Sequence, residues 1–128
     1  MDEKSAIKQA TNIQRIINDT GLMLTDRDKR CTDRYAVDAE GETVLAIDPG
    51  AVRFCLVGCL EYYIAKHGGS EAYHSDNHPL KKVLGRHLGV RHGLISGGLC
   101  VLWDDSSEEE QDKIARKMVE YVADPAEA

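Results

Sequence analysis

The residues best suited to chemistry crowd into the middle of the chain. All five histidines, His67, His74, His78, His87 and His92, lie there beside Lys66, Lys81, Lys82, Arg86 and Arg91. Neutral imidazole suits zinc and other transition metals, and Cys100 or Asp76 are the natural additional donors. The spacing opposes a shared site. His74 and His78 would occupy one helical face only if helix ran through Ser75-Asp76-Asn77, but Pro79 points to a helix start there. Gly89 likewise separates His87 from His92 as a helix stop. Scattered surface or loop histidines are therefore expected, with no native metal site. The lysines and arginines of the same stretch form an anion-facing surface on paper, since such side chains neutralise phosphates and release counterions. Net charge of −6, few aromatics and no recognition motif argue against nucleic acid as the preferred partner.

The thiols and carboxylates give no complete catalytic arrangement. The start Met1-Asp2-Glu3-Lys4 lacks the basic and apolar regions of a secretory signal, so Cys31, Cys55, Cys59 and Cys100 are expected to be reduced. Cys55 and Cys59 read as small buried hydrophobes on one helix face. A thiol nucleophile needs a base and an oxyanion-stabilising group. Cys100 follows Gly97-Gly98 and has His92 nearby in sequence, yet no nucleophile motif surrounds it. Ser96-Gly97-Gly98 matches neither the Walker nor the Rossmann pattern and reads as a turn. Asp104 and Asp105 have acid/base and metal chemistry available to them, but hydrogen bonding at a helix start beside Ser106 is the simpler use. No catalytic residue, metal ligand or cofactor is assigned.

Positioning these residues requires a core. With 128 residues, 42% hydrophobic and 30% charged, the chain fits one globular domain spanning 1–128, with loose ends at 1–4 and 124–128. No apolar run reaches the roughly 18 residues of a membrane span, and a cytoplasmic location is expected. A first helix over about residues 3 to 19 carries the stripe Ala6, Ala10, Ile13 and Ile17, broadened by Ile7 and Ile16, and Gly21 ends it. A central helix over about 49 to 66 starts with Asp48 as cap and Pro49 in its first turn. Val52, Cys55, Leu56, Cys59, Leu60, Tyr63 and Ile64 form its inward stripe, and Gly58 leaves room for another backbone. Gly68-Gly69-Ser70 breaks it. Asn77 caps a third helix bearing Leu80, Val83, Leu84 and Leu88, weakened by Gly85 and ended by Gly89.

Between the first two helices, Tyr35-Ala36-Val37 and Thr43-Val44-Leu45-Ala46-Ile47 flank a turn and predict a small hairpin. Leu99 to Trp103 reads as a strand or extended segment leading to the last helix, which Trp103 anchors. Ser106 or Ser107 caps that helix, with Glu109 or Glu110 completing a capping box. Glu108, Glu109, Glu110 and Asp112 suit the positive end of its dipole, while Ile114, Ala115, Met118, Tyr121 and Val122 face inward. The predicted fold is α+β: mostly helical, about four helices and a small β-hairpin in one domain.

The run Asp48-Pro49-Gly50-Ala51-Val52-Arg53-Phe54-Cys55-Leu56-Val57-Gly58-Cys59-Leu60, with Trp103-Asp104-Asp105 downstream, resembles a family of small uncharacterised bacterial and phage proteins. Those relatives show an aromatic-Cys-x-x-Gly-Ala-Leu run and, later, a Trp-Asn-Asp run before the last helix. The correspondence covers roughly residues 5 to 123; Cys59 stands in place of Ala and Asp104 in place of Asn. The resemblance implies a mobile-element or phage origin and brings no catalytic residues.

Charge is polarised along the chain. Residues 51 to 100 hold three acids and six bases, and residues 101 to 128 nine acids and three bases. The leading expectation is a small acidic, non-enzymatic interaction or regulatory protein that binds a host protein or complex through Glu108, Glu109, Glu110 and Asp112. One alternative is a small metal-dependent hydrolase using the histidine-rich middle with Asp104 or Asp105. The other is a nucleic-acid-binding protein using Lys81, Lys82, Arg86 and Arg91.

Overall fold

A computed structural model of the chain describes residues 3–67, 79–90 and 95–123. The expected Asn77 cap, the Gly68-Gly69-Ser70 break, His74, His78, His92 and Arg91 lie outside these residues, as do 1–2 and 124–128 of the expected loose ends. Among the described residues are five α-helices and a three-stranded antiparallel sheet: α1 (Glu3–Leu24), β1 (Ala36–Val37), β2 (Thr43–Val44), β3 (Arg53–Phe54), α2 (Leu56–Lys66), α3 (Pro79–Leu88), α4 (Ile95–Asp104) and α5 (Glu108–Val119). The architecture is the expected mostly helical α+β arrangement. A 3-10 turn, Arg27–Lys29, follows α1.

Helix α1 runs beyond Gly21, which does not end it. A Cβ at Gly21 would stand 2.6 Å from Met118 Cβ and 2.7 Å from the Ala115 carbonyl oxygen, so this glycine lets α1 and α5 touch backbone to backbone. Polar side chains of α1 also secure the far end of α5. Asn18 Nδ2 donates to the carbonyls of Met118, Val119 and Tyr121 at 2.9 to 3.1 Å, and Gln14 Oε1 accepts the Ala123 N–H at 3.0 Å. Ile13, Ile16, Ile17 and Leu24 supply the apolar side of the contact.

The hairpin forms as predicted, with Ala36 opposite Val44 and Val37 opposite Thr43. A third strand was not foreseen. Arg53 and Phe54 pair with the other edge of β1, where the central helix was expected to be under way. Asp48 does accept a backbone hydrogen bond, but from Gly50 at 2.7 Å, in a turn that also joins the Ala51 N–H to the Asp48 carbonyl at 3.0 Å. Asp-Pro-Gly chemistry serves a turn as well as a helix start, and sheet pairing decides between them here. Helix α2 instead begins at Leu56, with Cys55 as N-cap: its Sγ accepts the Gly58 N–H at 3.3 Å. Val52 consequently leaves the expected inward stripe and is exposed.

Gly58 has the predicted role. A Cβ at this position would overlap the Tyr35 carbonyl oxygen, so no side chain can share the space. The same carbonyl accepts the Cys55 N–H at 3.1 Å, fixing the end of β1 to the start of α2.

Helix α3 ends as expected at Gly89, whose φ is +80°. The Val90 N–H reaches the Gly85 carbonyl and the Gly89 N–H reaches the Arg86 carbonyl, the paired bonds of a Schellman stop. The segment from Leu99 to Trp103 is helical, which corrects the expectation of a strand. Leu99 and Trp103, four residues apart, are fully buried, while Val101 is 59% exposed. A strand would have put all three on one side. Ser96-Gly97-Gly98 accordingly belongs to α4 and forms no turn.

Candidate functional site

The N-terminal turn of α5 is the most heavily organised polar region of the described structure. Ser107 Oγ accepts the Glu110 N–H at 3.2 Å, and the Glu110 carboxylate accepts the Ser107 N–H at 3.1 Å. This is the predicted capping box, with Ser107 and Glu110 as its members. The Ser107 donors hold the Glu110 carboxyl below its ordinary pKa. Ser106 instead directs its hydroxyl to the Leu102 carbonyl of α4.

Two arginines that sequence reasoning passed over clamp the next turn. Arg27 donates to Asp112 at 2.6 Å and to Glu108 at 3.0 Å, and Arg30 donates to the other Asp112 oxygen at 2.6 Å. Arg27 and then Arg30 depress the pKa of Asp112 by donating to it. Arg30 is only 9% exposed. Its Nε also donates to the Leu24 carbonyl at 2.7 Å, ending α1, and its guanidinium stands 5.7 Å from the Trp103 ring centre. The run Asp26-Arg27-Asp28-Lys29-Arg30, facing a distant acidic run, was the available signal; mixed charge hid it.

Trp103 anchors α5 through its backbone carbonyl, while its ring is tied to the loop at Cys31. The ring is fully buried, its Nε1 donates to the Cys31 carbonyl at 3.0 Å, and its own carbonyl accepts from Gln111 Nε2 at 3.1 Å. Asp104 accepts the Asp33 N–H at 3.0 Å, securing a loop residue with φ of 63°. Its carboxylate thus bonds to another segment, and the helix start expected of it is capped by Ser107 instead.

The four acids proposed from sequence are therefore in different situations. Asp112 is half-buried between two arginines, Glu108 is exposed and paired with Arg27, and Glu110 is exposed but belongs to the cap. Glu109 is exposed, as is Asp105 at the end of α4, and neither has an ion pair among the described residues. Clefts lie on both sides of the arginine clamp. One of about 370 Å³ is lined by Arg27, Arg30, Thr32, Asp104, Glu108 and Gln111 among others, and one of about 510 Å³ by Thr25, Arg27, Asp112 and Arg116.

The basic middle is divided by burial. Lys81 is not on the surface: its Nζ lies 2.8 Å from Glu61 Oε2, with the two side chains 0% and 1% exposed. This removes Lys81 from the expected anion-facing set, because an amphipathic helix with Leu80 and Leu84 inward carries its neighbour at 81 partly inward as well. Lys82 and Arg86 remain exposed. Lys66 lies over the rings of Tyr62 and Tyr63, 5.7 and 5.6 Å from their centres. The described histidines serve separate contacts. His67 Nε2 is 3.1 Å from Asp19, while His87 Nε2 donates to the Lys117 carbonyl at 2.9 Å and its ring meets Tyr121 edge-on. Among the described residues no three His, Cys, Asp or Glu side chains are grouped to hold a metal ion.

All four cysteines are free, with Cys55 and Cys59 buried as expected. Burial pushes the Cys31 thiol up to about 11 and raises Cys59 too. No helix among the described residues is long and apolar enough to cross a membrane. Comparison with known proteins finds no matching family model, curated protein or solved structure.

Proposed function

We propose that this chain is a small, non-enzymatic interaction or regulatory protein that works in the cytoplasm by binding a basic segment of another protein at the turn joining α4 to α5. The observation carrying this reading is the contrast among neighbouring acids. Glu110 and Asp112 hold the turn in shape, whereas Asp105 and Glu109 stay exposed without an ion pair among the described residues. Carboxylates on a fixed turn lose little freedom when a partner arrives, which lowers the ordering cost of association. Their charge speeds encounter with a basic surface and disfavours acidic competitors, including nucleic acid. Glu108 adds charge at the edge through its exposed pair with Arg27.

The arrangement also selects the informative substitutions. Reversing Glu110 or Asp112 would disturb the helix start itself, so loss of binding there would be ambiguous. Asp105→Lys with Glu109→Lys reverses the two exposed charges at the turn that have no ion pair among the described residues and leaves the cap and clamp intact. In a pull-down from nuclease-treated host lysate, wild type is expected to capture one saturable protein partner that the double variant loses while keeping its fold. A partner retained by the variant would reject this surface, and absence of any saturable partner would reject the binding function.

A further inference from the structure

We propose that the cleft of about 510 Å³ between the end of α1 and α5 binds a small aliphatic carboxylate, with Arg116 and Arg27 holding the carboxylate and Leu22 and Val119 supporting the aliphatic chain. The cleft is lined by Thr25, Arg27, Asp112 and Arg116, and its volume is that of a small-ligand site. Neither Asp105 nor Glu109 lines it, so the site is independent of the acidic docking turn.

The charge around this cleft is unbalanced. Asp112 precedes Arg116 by one helical turn, the spacing at which such pairs ordinarily form. Its two oxygens are instead taken by Arg27 and Arg30, each at 2.6 Å, and Glu108 is taken by Arg27 at 3.0 Å. Arg116 is left exposed, with no ion pair among the described residues.

Across the clamp and the cleft, the guanidinium groups of Arg27, Arg30 and Arg116 meet the carboxylates of Asp112 and Glu108, which leaves one positive charge in a chain whose net charge is −6. A monoanion balances that charge, whereas a phosphate dianion brings excess negative charge beside Asp112. Arg27 still has protons to give. Its Nε, Nη1 and Nη2 each donate one hydrogen bond to Asp112 or Glu108, and a guanidinium carries five N–H groups, so two remain. Together with the fork of Arg116 these suit the two oxygens of a carboxylate, as charge-assisted bonds. The Thr25 hydroxyl is spent on the Leu22 carbonyl and offers no proton to the anion. The apolar side follows from helical spacing. Val119 stands three residues after Arg116 on α5, and Leu22 three residues before Thr25 on α1, so each extends its helix's wall of the cleft by one turn. Backbones of the two helices are in close contact at this level, where a Cβ on Gly21 would stand 2.8 Å from the Val119 nitrogen. Leu22 is 63% exposed and Val119 38%, and an aliphatic chain lying along the seam covers both.

The test is an NMR titration of isotope-labelled, full-length protein with octanoate, acetate, octanol and octyl phosphate, read from the backbone amide shifts. Octanoate should bind saturably at one site and move the amides of Thr25, Arg27, Arg116 and Val119. Acetate, which lacks the chain, and octanol, which lacks the charge, should each bind more weakly by about tenfold or more. Arg116→Gln removes the unpaired charge from an exposed position without touching the clamp, and should weaken octanoate about tenfold while leaving octanol unchanged. Leu22→Asn should weaken octanoate and leave acetate unchanged. Shifts confined to other residues, octanol binding as tightly as octanoate, or wild-type affinity in Arg116→Gln would each overturn the proposal. So would tighter binding of octyl phosphate than of octanoate, or no saturable shift at octanoate concentrations short of its self-association.

Discussion

Lys81 and Glu61 show how much a residue's meaning depends on its surroundings. In sequence Lys81 belongs to a basic stretch; in the fold it is fully buried against a carboxylate 20 positions earlier. Residue type alone carries no mark of that partnership, because a lysine one step from an apolar helix stripe reads as surface charge. Replacing Lys81 by Met strands a charge in the core, and urea unfolding should show a loss of about 3–5 kcal/mol. Pairing Lys81→Met with Glu61→Leu should recover most of it, since desolvating the ion pair consumes much of its Coulombic attraction. Asp112 gives a pH signature at the same scale. Its pKa is depressed in the folded protein by Arg27 and Arg30. The clamp therefore adds stability above the ordinary aspartate pKa of about 4, and that contribution is lost as pH falls toward the folded value. Asp112→Asn should lower stability at neutral pH and flatten the decline seen in acid unfolding curves below about pH 4.

At the scale of elements, the sequence signals succeeded where a local motif had one use and failed where it had two. The Ser107 to Glu110 box and the Gly89 stop were legible because each needs a particular residue at a particular offset. Asp48-Pro49-Gly50 suits both a helix start and a turn, and the edge of β1 settles the matter from far away in sequence. Leu99 to Trp103 misled for a related reason: a short apolar run fits a strand until Val101 is found facing solvent between two buried neighbours. Glycines divide in the same way. Gly21 looked like a helix end and is an interhelical contact, while Gly58 was recognised as a contact because it stands inside a continuous apolar stripe. Gly58→Ala gains about 1 kcal/mol of helix propensity. Against the Tyr35 carbonyl it should nevertheless destabilise the protein, by about 2 kcal/mol net or more in denaturant titrations. Ser107→Ala should cost about 1 kcal/mol, the ordinary loss of a helix cap.

For the molecule as a whole, the fold divides the acids around the start of α5 into two structural classes. Packing of α1 on α5 brings the Arg27–Lys29 turn against the start of α5, so Asp112 and Glu108 both pair with Arg27, 85 and 81 residues away in sequence. Such long-range pairing was invisible in the chain, which is why all four acids looked equivalent there. What remains exposed without an ion pair among the described residues is a smaller acidic feature, Asp105 and Glu109, on a turn held by a cap, a clamp and a buried tryptophan. Exposed charges of this kind act over about 8 Å at physiological ionic strength, so binding through them must weaken as salt rises. The most direct test titrates nuclease-treated lysate against immobilised wild-type protein and Asp105→Lys/Glu109→Lys protein, at low and physiological salt, with folding of both checked by circular dichroism. Wild type should capture one saturable protein partner, more weakly at higher salt, and the variant should capture none. Equal capture by both proteins, or capture insensitive to salt, would contradict an acidic docking turn.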